Sequence, residues 1–360
     1  MCLCSYHANF IEAVNALHKK VPSLPSYDDG FVKMFLCRNS TMDCWYGNCE
    51  NCDGISVNRL TEMIANVDLN TNAAWILWKK SVVAKRVEKH EETGTLLVLI
   101  AHISALSSQF LKHSFNKRQQ DEMFSCYDRV RALSKDCFEE GVLQIDFAEN
   151  FVCEAQDEIQ SAHWNQRQIS LFTSGFYYNE SFCAKVLVSD NLTHTKDTIV
   201  TYLFKLLSKL PPTLKILKIW SDGPSSQFKN KYIAALIPVL QDKFKVQIIW
   251  NYFATSHGKG CVDGIGATVK TIVRKHIRAR NMLVNSSSEF VAAFNLTEST
   301  ITVEVVALKE FDAVNSDLDA DTLFLHAKNI QNISGMHQIK IIDNRPAVFC
   351  NSKQGYFGCN

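Results

Sequence analysis

Two groups of residues in this chain have the types and spacing to do chemistry. The first is rich in soft ligands: Cys2-x-Cys4-x2-His7, then Cys37, then Cys44-x4-Cys49-x2-Cys52. Thiols and imidazoles crowded into one short stretch suit tetrahedral zinc, which takes four ligands. Cys4, His7, Cys49 and Cys52 are the first choice of set, with Cys44 and Cys37 next; one site with spares and two sites sharing ligands both remain open. No general base stands beside them, so the metal is expected to be structural, joining segments too short to build a core.

The second group is acidic. Asp146 lies in LQIDFAEN, Asp222 in KIWSDGPSSQFKN and Asp263 in SHGKGCVDGIG. Asp146 is flanked by apolar residues of a strand candidate, where an ionised side chain is unfavourable unless it is paired or bound to metal. Asp222 closes another strand candidate, at the edge where open α/β sheets place ligands. Asp263 sits among Gly258, Gly260, Gly264 and Gly266, which leave room for a close backbone approach. Carboxylates converging from separate elements can hold two hard cations, Mg2+ or Mn2+, around a phosphodiester.

Further polar residues surround these three. His163, in EIQSAHWNQ, is a candidate to orient a ligand or an attacking water, and His257 and Lys259 to contact a scissile phosphate. Gln227 and Lys229 stand where a helix begins after Asp222. The formal charge of the whole chain is only +1, yet between Lys205 and Arg280 there are fourteen Lys or Arg against three acids, Asp222, Asp242 and Asp263. Such segregation points to a polyanionic partner. Lys270, Arg274, Lys275, Arg278 and Arg280 are the candidates to grip a nucleic-acid backbone.

The elements that must position these residues follow from periodicity. Residues 54–140 read as helical, LLVLIAHISALSSQFLKHSF above all, with apolar residues at three and four. From Gly141 the period changes: VLQIDFAENF, QRQISLFTSGFYY and FCAKVLVSD read as three strands. A helix from Thr195 to Leu210, the strand LKILKIWSD, a helix from about Gln227 to Lys243, the strand KVQIIWNYFAT and a helix from about Ala267 to Arg280 complete the series. Three sequential strands make a meander, and each later strand, arriving by a helical crossover, lies parallel to its neighbour. The expected fold is therefore α/β, an RNase H-like core with a mixed five-stranded sheet. If the first strand is central, Asp146 and Asp222 meet at one sheet edge. After residue 300, TITVEVVALKEF and MHQIKIIDNRPAVFC read as strands of a small β appendage, with the acidic SDLDAD between them as a loop.

With these motifs, residues 141–280 resemble the DDE/D transposases of eukaryotic cut-and-paste elements and their domesticated derivatives. The blocks DFAEN, EIQSAHW, SDGPSSQFKN and the loop around SHGKGCVDGIG extend the likeness. The resemblance implies Asp146, Asp222 and Asp263 as catalytic ligands of two Mg2+ or Mn2+ ions, DNA cleavage and strand transfer, a homo-oligomer on DNA, and a nuclear location. The third acid of such enzymes is more commonly Glu, and Glu289 competes with Asp263 if the last helix continues past Asn281. A non-catalytic, transposase-derived DNA-binding or chromatin-associated zinc protein is the alternative. The expected parts are a zinc module in 1–53, a helical region in 54–140, a catalytic core in 141–298 and the β appendage in 299–360. No stretch approaches about twenty consecutive apolar residues, and the start lacks the basic and apolar regions of a secretory signal, so no membrane partner is expected.

Overall fold

The computed structural model describes residues 4–52, 54–81, 86–154, 166–254, 260–343 and 345–349. They fall into two units, residues 1–118 and 119–360.

In the first unit, α1 (Ser5–Lys20) turns Phe10, Ala13, Val14 and Leu17 to one side. The short helices α2 (Asp28–Lys33), α3 (Met42–Tyr46) and α4 (Val57–Met63) follow. A hairpin of β1 (Asn72–Lys80) and β2 (Val87–Thr95) comes next, then the long α5 (Leu96–Glu122). Phe31, Phe35, Leu60, Trp75, Leu99, Ile103 and Phe110 share one core, so the expected division at residue 53 does not exist. The hairpin corrects the all-helical reading of 54–140. Only β1 alternates, burying Ala73, Trp75 and Leu77, whereas β2 is VEKHEETGT and has no apolar period to detect. The helical stretch Leu96–Ala132 is long and apolar enough to cross a membrane by length and composition, but its Leu99, Ile103 and Phe110 lie in this core.

The second unit starts in the last turns of α5. A π-helical turn, Met123–Asp128, leads into α6 (Arg129–Ala132). The meander follows: β3 (Glu140–Val152), β4 (Gln168–Tyr178) and β5 (Ser181–Ser189), antiparallel throughout. Asn179 and Glu180 form the two-residue β4–β5 turn with φ of 45° and 60°, the left-handed pair that matches strand twist. Then come α7 (Lys196–Leu207), β6 (Ile216–Ser221), α8 (Lys231–Phe244), β7 (Gln247–Tyr252) and α9 (Cys261–Arg278). β6 pairs parallel with β3, and β7 parallel with β6. β3 therefore lies between β4 and β6, which meets the condition set by the sequence pattern.

Among the described residues the sheet has eight strands rather than five, in the order β10-β9-β7-β6-β3-β4-β5-β8. After α10 (Ser287–Phe294), β8 (Thr302–Val305) extends one edge. β9 (Gln338–Ile342) and β10 (Arg345–Phe349) extend the other. The expected separate appendage is thus part of the main sheet. The acidic SDLDAD is not a simple loop either, because it spans the end of α11 (Leu308–Asp317) and the start of α12 (Ala320–Leu325) around Asp319 at φ 46°.

Leu143 and Ile145 of β3 pack with residues of α7 and α8 in the largest apolar core. Alternation sends Val142, Gln144, Asp146 and Ala148 to the opposite face. There Val142 joins a cluster with Phe124, Trp220 and Phe253, and Ala148 packs against the core beneath α9. A buried ion triad anchors this face: Lys218 Nζ lies 2.9 Å from Asp128 and 3.0 Å from Glu140, and Trp220 Nε1 donates to Asp128 at 3.0 Å.

Candidate functional site

The first two acids are brought together by strand register. The last ladder pair between β3 and β6 is Gln144 with Trp220. Two residues on along each strand stand Asp146 and Asp222, so both reach the same level of strands about 4.8 Å apart. The end of β6 is fixed firmly, since Trp250 Nε1 donates to Ser221 Oγ at 3.0 Å and Phe253 N–H to the Ser221 carbonyl at 2.9 Å.

Glycines carry the third acid in. α9 begins at Gly260, its N-cap, where an added Cβ would stand 2.3 Å from Gln144 Nε2. One and a half turns later, a Cβ on Gly266 would meet that of Ala148 at 3.0 Å. The helix therefore lies against β3 from Gln144 to Ala148, and Asp263 sits between the two contacts, beside Asp146. Two of the glycines expected to admit a phosphate backbone serve helix–strand packing instead; only Gly264 faces open space, with nothing within 4 Å of an added Cβ. Gly258 lies outside the described residues.

The electrostatics agree with this placement. Burial first, then the negative charges of Asp222 and, less, Asp263, push the Asp146 carboxyl up to about 8, against the Phe147 N–H that donates to its Oδ1 at 2.8 Å. Asp222 is raised to about 6, by burial and then by Asp263. Asp222 is thus the first of the β-strand pair to ionise, and Asp146 gives up its proton against that charge. Asp222 Oδ1 is buried without a hydrogen-bond partner among the described residues. Acceptor-rich, mutually repelling and under-satisfied groups of this kind fit a hard cation.

The other expected contacts are distributed differently. His163, His257 and Lys259 lie outside the described residues. Gln227 and Lys229 precede α8, whose N-cap is Asn230, so they occupy a turn in which the N–H groups of Gln227, Phe228 and Lys229 all reach the Pro224 carbonyl. Lys229 is only 4% exposed and points inward: its Nζ donates to the Ser334 carbonyl at 2.8 Å, and its stem would press on a Cβ at Gly223. It holds the turn after Asp222 rather than reaching out for phosphate. Glu289 is excluded as the third acid, because α9 ends at Arg278 and Glu289 belongs to the first turn of α10, where it accepts from Asn285 N–H.

The basic segment is partly neutralised by folding. Lys205, Lys215, Lys218, Lys243 and Lys245 pair with Glu310, Glu139, Asp128 and Glu140, Asp317 and Asp242. On α9, Lys270 donates to the Glu149 carbonyl and Arg274 lies over the Phe151 ring. Lys275, Arg278 and Arg280 are exposed.

The soft ligands divide into two groups, each with its ligand atoms all within 4.8 Å of one another: Cys37, Cys44, Cys49 and Cys52, and Cys4, His7 and His113. The three aspartates are not gathered so tightly. Cys4 and His7 therefore do not join Cys49 and Cys52, and Cys37 and Cys44 complete the set in their place. Four thiols suit one tetrahedral zinc ion, for which sulfurs 2.3 Å from the metal stand about 3.8 Å apart; Cys37 and Cys49 Sγ are 3.8 Å apart. Burial favours the Cys44 thiol, but hydrogen bonds from the Thr41 backbone and hydroxyl and from Cys49 and Cys52 bring it down to about 7, while burial first pushes Cys52 to about 12. α3 positions Cys44 and ends at Gly47, whose φ of 78° turns the chain back to deliver Cys49 and Cys52. His113, 106 residues from His7 in the sequence and lacking any motif spacing, was not a candidate on sequence.

Together these features define a mixed α/β protein with an eight-stranded sheet among the described residues, three acids carried to one face of it, and a cysteine-rich unit able to hold zinc. The chain belongs to the family of the domain of unknown function DUF8701, whose model matches residues 131–350. That match spans β3 to β10 and includes all three aspartates. No curated protein matches the sequence.

Proposed function

We propose that the second unit is an RNase H-like, divalent-metal-dependent nuclease core of the DDE/D transposase type, acting on DNA phosphodiesters. One observation carries this reading: Asp146 on the central strand, Asp222 at the end of its parallel neighbour and Asp263 in the first turn of α9 converge on one face of the sheet. The meander-then-crossover order of β3 to β7 supports it, since that order is the RNase H-like succession.

Asp146, Asp222 and Asp263 are the residues that would hold Mg2+ or Mn2+. When bound, the ions supply Lewis-acid charge and lower the pKa of a bound water. The protein contributes three carboxylates from rigid elements and a Ser221 anchor that fixes the second of them. The reaction is attack of water on a phosphodiester to leave a 3′-hydroxyl; in strand transfer that hydroxyl is the next nucleophile. Lys275, Arg278 and Arg280 grip the DNA backbone, and the working form is a homo-oligomer on DNA in the nucleus.

The test is nicking of supercoiled DNA by purified chain with Mg2+ or Mn2+. We expect wild type to cut and Asp146→Ala and Asp222→Ala to lose at least about 100-fold in rate, the scale on which removal of an essential electrostatic group acts. Variants that cut as well as wild type overturn the assignment. Binding without any cutting by wild type identifies instead a non-catalytic, transposase-derived DNA-binding protein.

A further inference from the structure

We propose that Cys4, His7 and His113 form a second metal site, separate from the four-cysteine cluster, in which a zinc ion ties the start of α1 to α5. Cys4 Sγ lies 3.1 Å from His7 Nδ1 and 3.2 Å from His113 Nε2. The three ligand atoms fall within one ion's coordination span. Zn–S and Zn–N bonds at the tetrahedral angle put S and N about 3.6 Å apart, so a bound ion would open these contacts by a few tenths of an ångström.

The surroundings are those of a ligand set. Cys4 is 4% exposed and His7 5% exposed, so neither is a surface group that meets a partner by chance. His7 Nε2 lies 3.3 Å from Ser114 Oγ. The tautomer that donates to Ser114 carries no proton on Nδ1, and its lone pair then faces the position shared with Cys4; an outer hydrogen bond that fixes tautomer and ring orientation is characteristic of metal-binding histidine. Aromatic rings hold both imidazoles: Phe110 packs edge-on to His7 at 5.2 Å, and Tyr6 lies 5.1 Å from His113. Local geometry delivers the first two ligands together, because Cys4 is the N-cap of α1 and accepts the backbone N–H of His7. His113 arrives on α5, so the ion closes a long loop of chain. Three protein ligands leave one position for water or a further ligand.

The measurement is metal content of full-length protein purified without chelator, together with the visible spectrum after cobalt replaces zinc. We expect about two zinc ions per chain, falling to about one in Cys4→Ser and in His113→Gln, with the Cys37, Cys44, Cys49 and Cys52 cluster still loaded. His113→Cys restores a ligand and should keep both ions. Cobalt should show two distinct sets of bands, one of them altered in His113→Cys through its added sulfur-to-cobalt charge transfer. If His113→Gln fails to fold, the wild-type metal count and the His113→Cys spectrum still decide. One zinc ion per chain in wild type, or a cobalt spectrum indifferent to His113→Cys, overturns the proposal.

Discussion

Replacing Asp146 by Asn removes the charge that the site most resists. In the folded chain burial and the neighbouring acids move this carboxyl from the ordinary 3.8 to about 8. At 1.36 kcal/mol per unit that corresponds to a ceiling of about 5–6 kcal/mol. Asp146 is partly open to solvent, and screening reduces the expected effect to about 2–3 kcal/mol. The sign follows from proton binding: between pH 4 and 8 the native state holds a proton that the unfolded chain has released, so native stability falls as pH rises through that window and levels off above it. Asp146→Asn lacks this loss. In urea unfolding of chain without added Mg2+ or Mn2+, the variant should match wild type within about 1 kcal/mol near pH 4.5 and exceed it by about 2–3 kcal/mol near pH 9. Mn2+ should act in the opposite way, stabilising wild type by about 2.7 kcal/mol at a hundred times its dissociation constant, and more at higher pH, while doing little for the variant. A variant no more stable than wild type at pH 9, or with the same pH slope, refutes the reasoning.

Four further outcomes are expected. Lys218→Met leaves Asp128 buried without its cation and Glu140 with Arg131 alone, and should lower unfolding stability by about 3–5 kcal/mol in a denaturant titration, with no comparable loss in Lys245→Met, whose salt bridge with Asp242 is exposed. Gly266→Val forces bulk against Ala148 and Thr173, and should destabilise by about 1–3 kcal/mol while weakening Mn2+ binding measured by calorimetry, because it lifts Asp263 off β3. Cys44→Ser, or strong chelation, should abolish cooperative unfolding of the first unit while leaving that of the second, as read by tryptophan fluorescence and circular dichroism. Replacing Lys275 and Arg278 by Glu should weaken DNA binding and reduce the slope of log affinity against log salt by about two, with little change in stability.

The legible part of the fold was its centre. The strand bearing Asp146 announced itself because apolar residues flank an acid, and the meander and crossovers after it have strong periods of two and of three to four. Those signals brought Asp146 towards Asp222 only on the condition that the first strand is central, and the β3–β6 ladder supplies that condition. The edges were less legible. β8 is only Thr302–Val305, and β9, with β10 paired to it, joins the sheet through residues about ninety positions earlier, Ile249 to Asn251, which no local pattern encodes. β2 was hidden by its charge, since a strand exposed on both faces has no apolar alternation. The soft ligands were visible as types and not as groupings. Cys44-x4-Cys49-x2-Cys52 lies close in sequence and in space, but His113 reaches Cys4 only through the packing of α5 on α1, with Phe110 stacked on Phe10 at 3.9 Å. The basic segment was overread for a related reason: sequence counts charges, whereas folding pairs Lys205, Lys215, Lys218 and Lys243 with acids from distant segments.

The most direct measurement of the central claim is the anomalous scattering of crystals soaked in Mn2+. Manganese peaks are expected between the carboxylates of Asp146, Asp222 and Asp263, at least one of them shared by Asp146 and Asp222, and absent from crystals of Asp146→Asn. Full soaking that leaves these three carboxylates without manganese, while the ion collects elsewhere or nowhere, contradicts it.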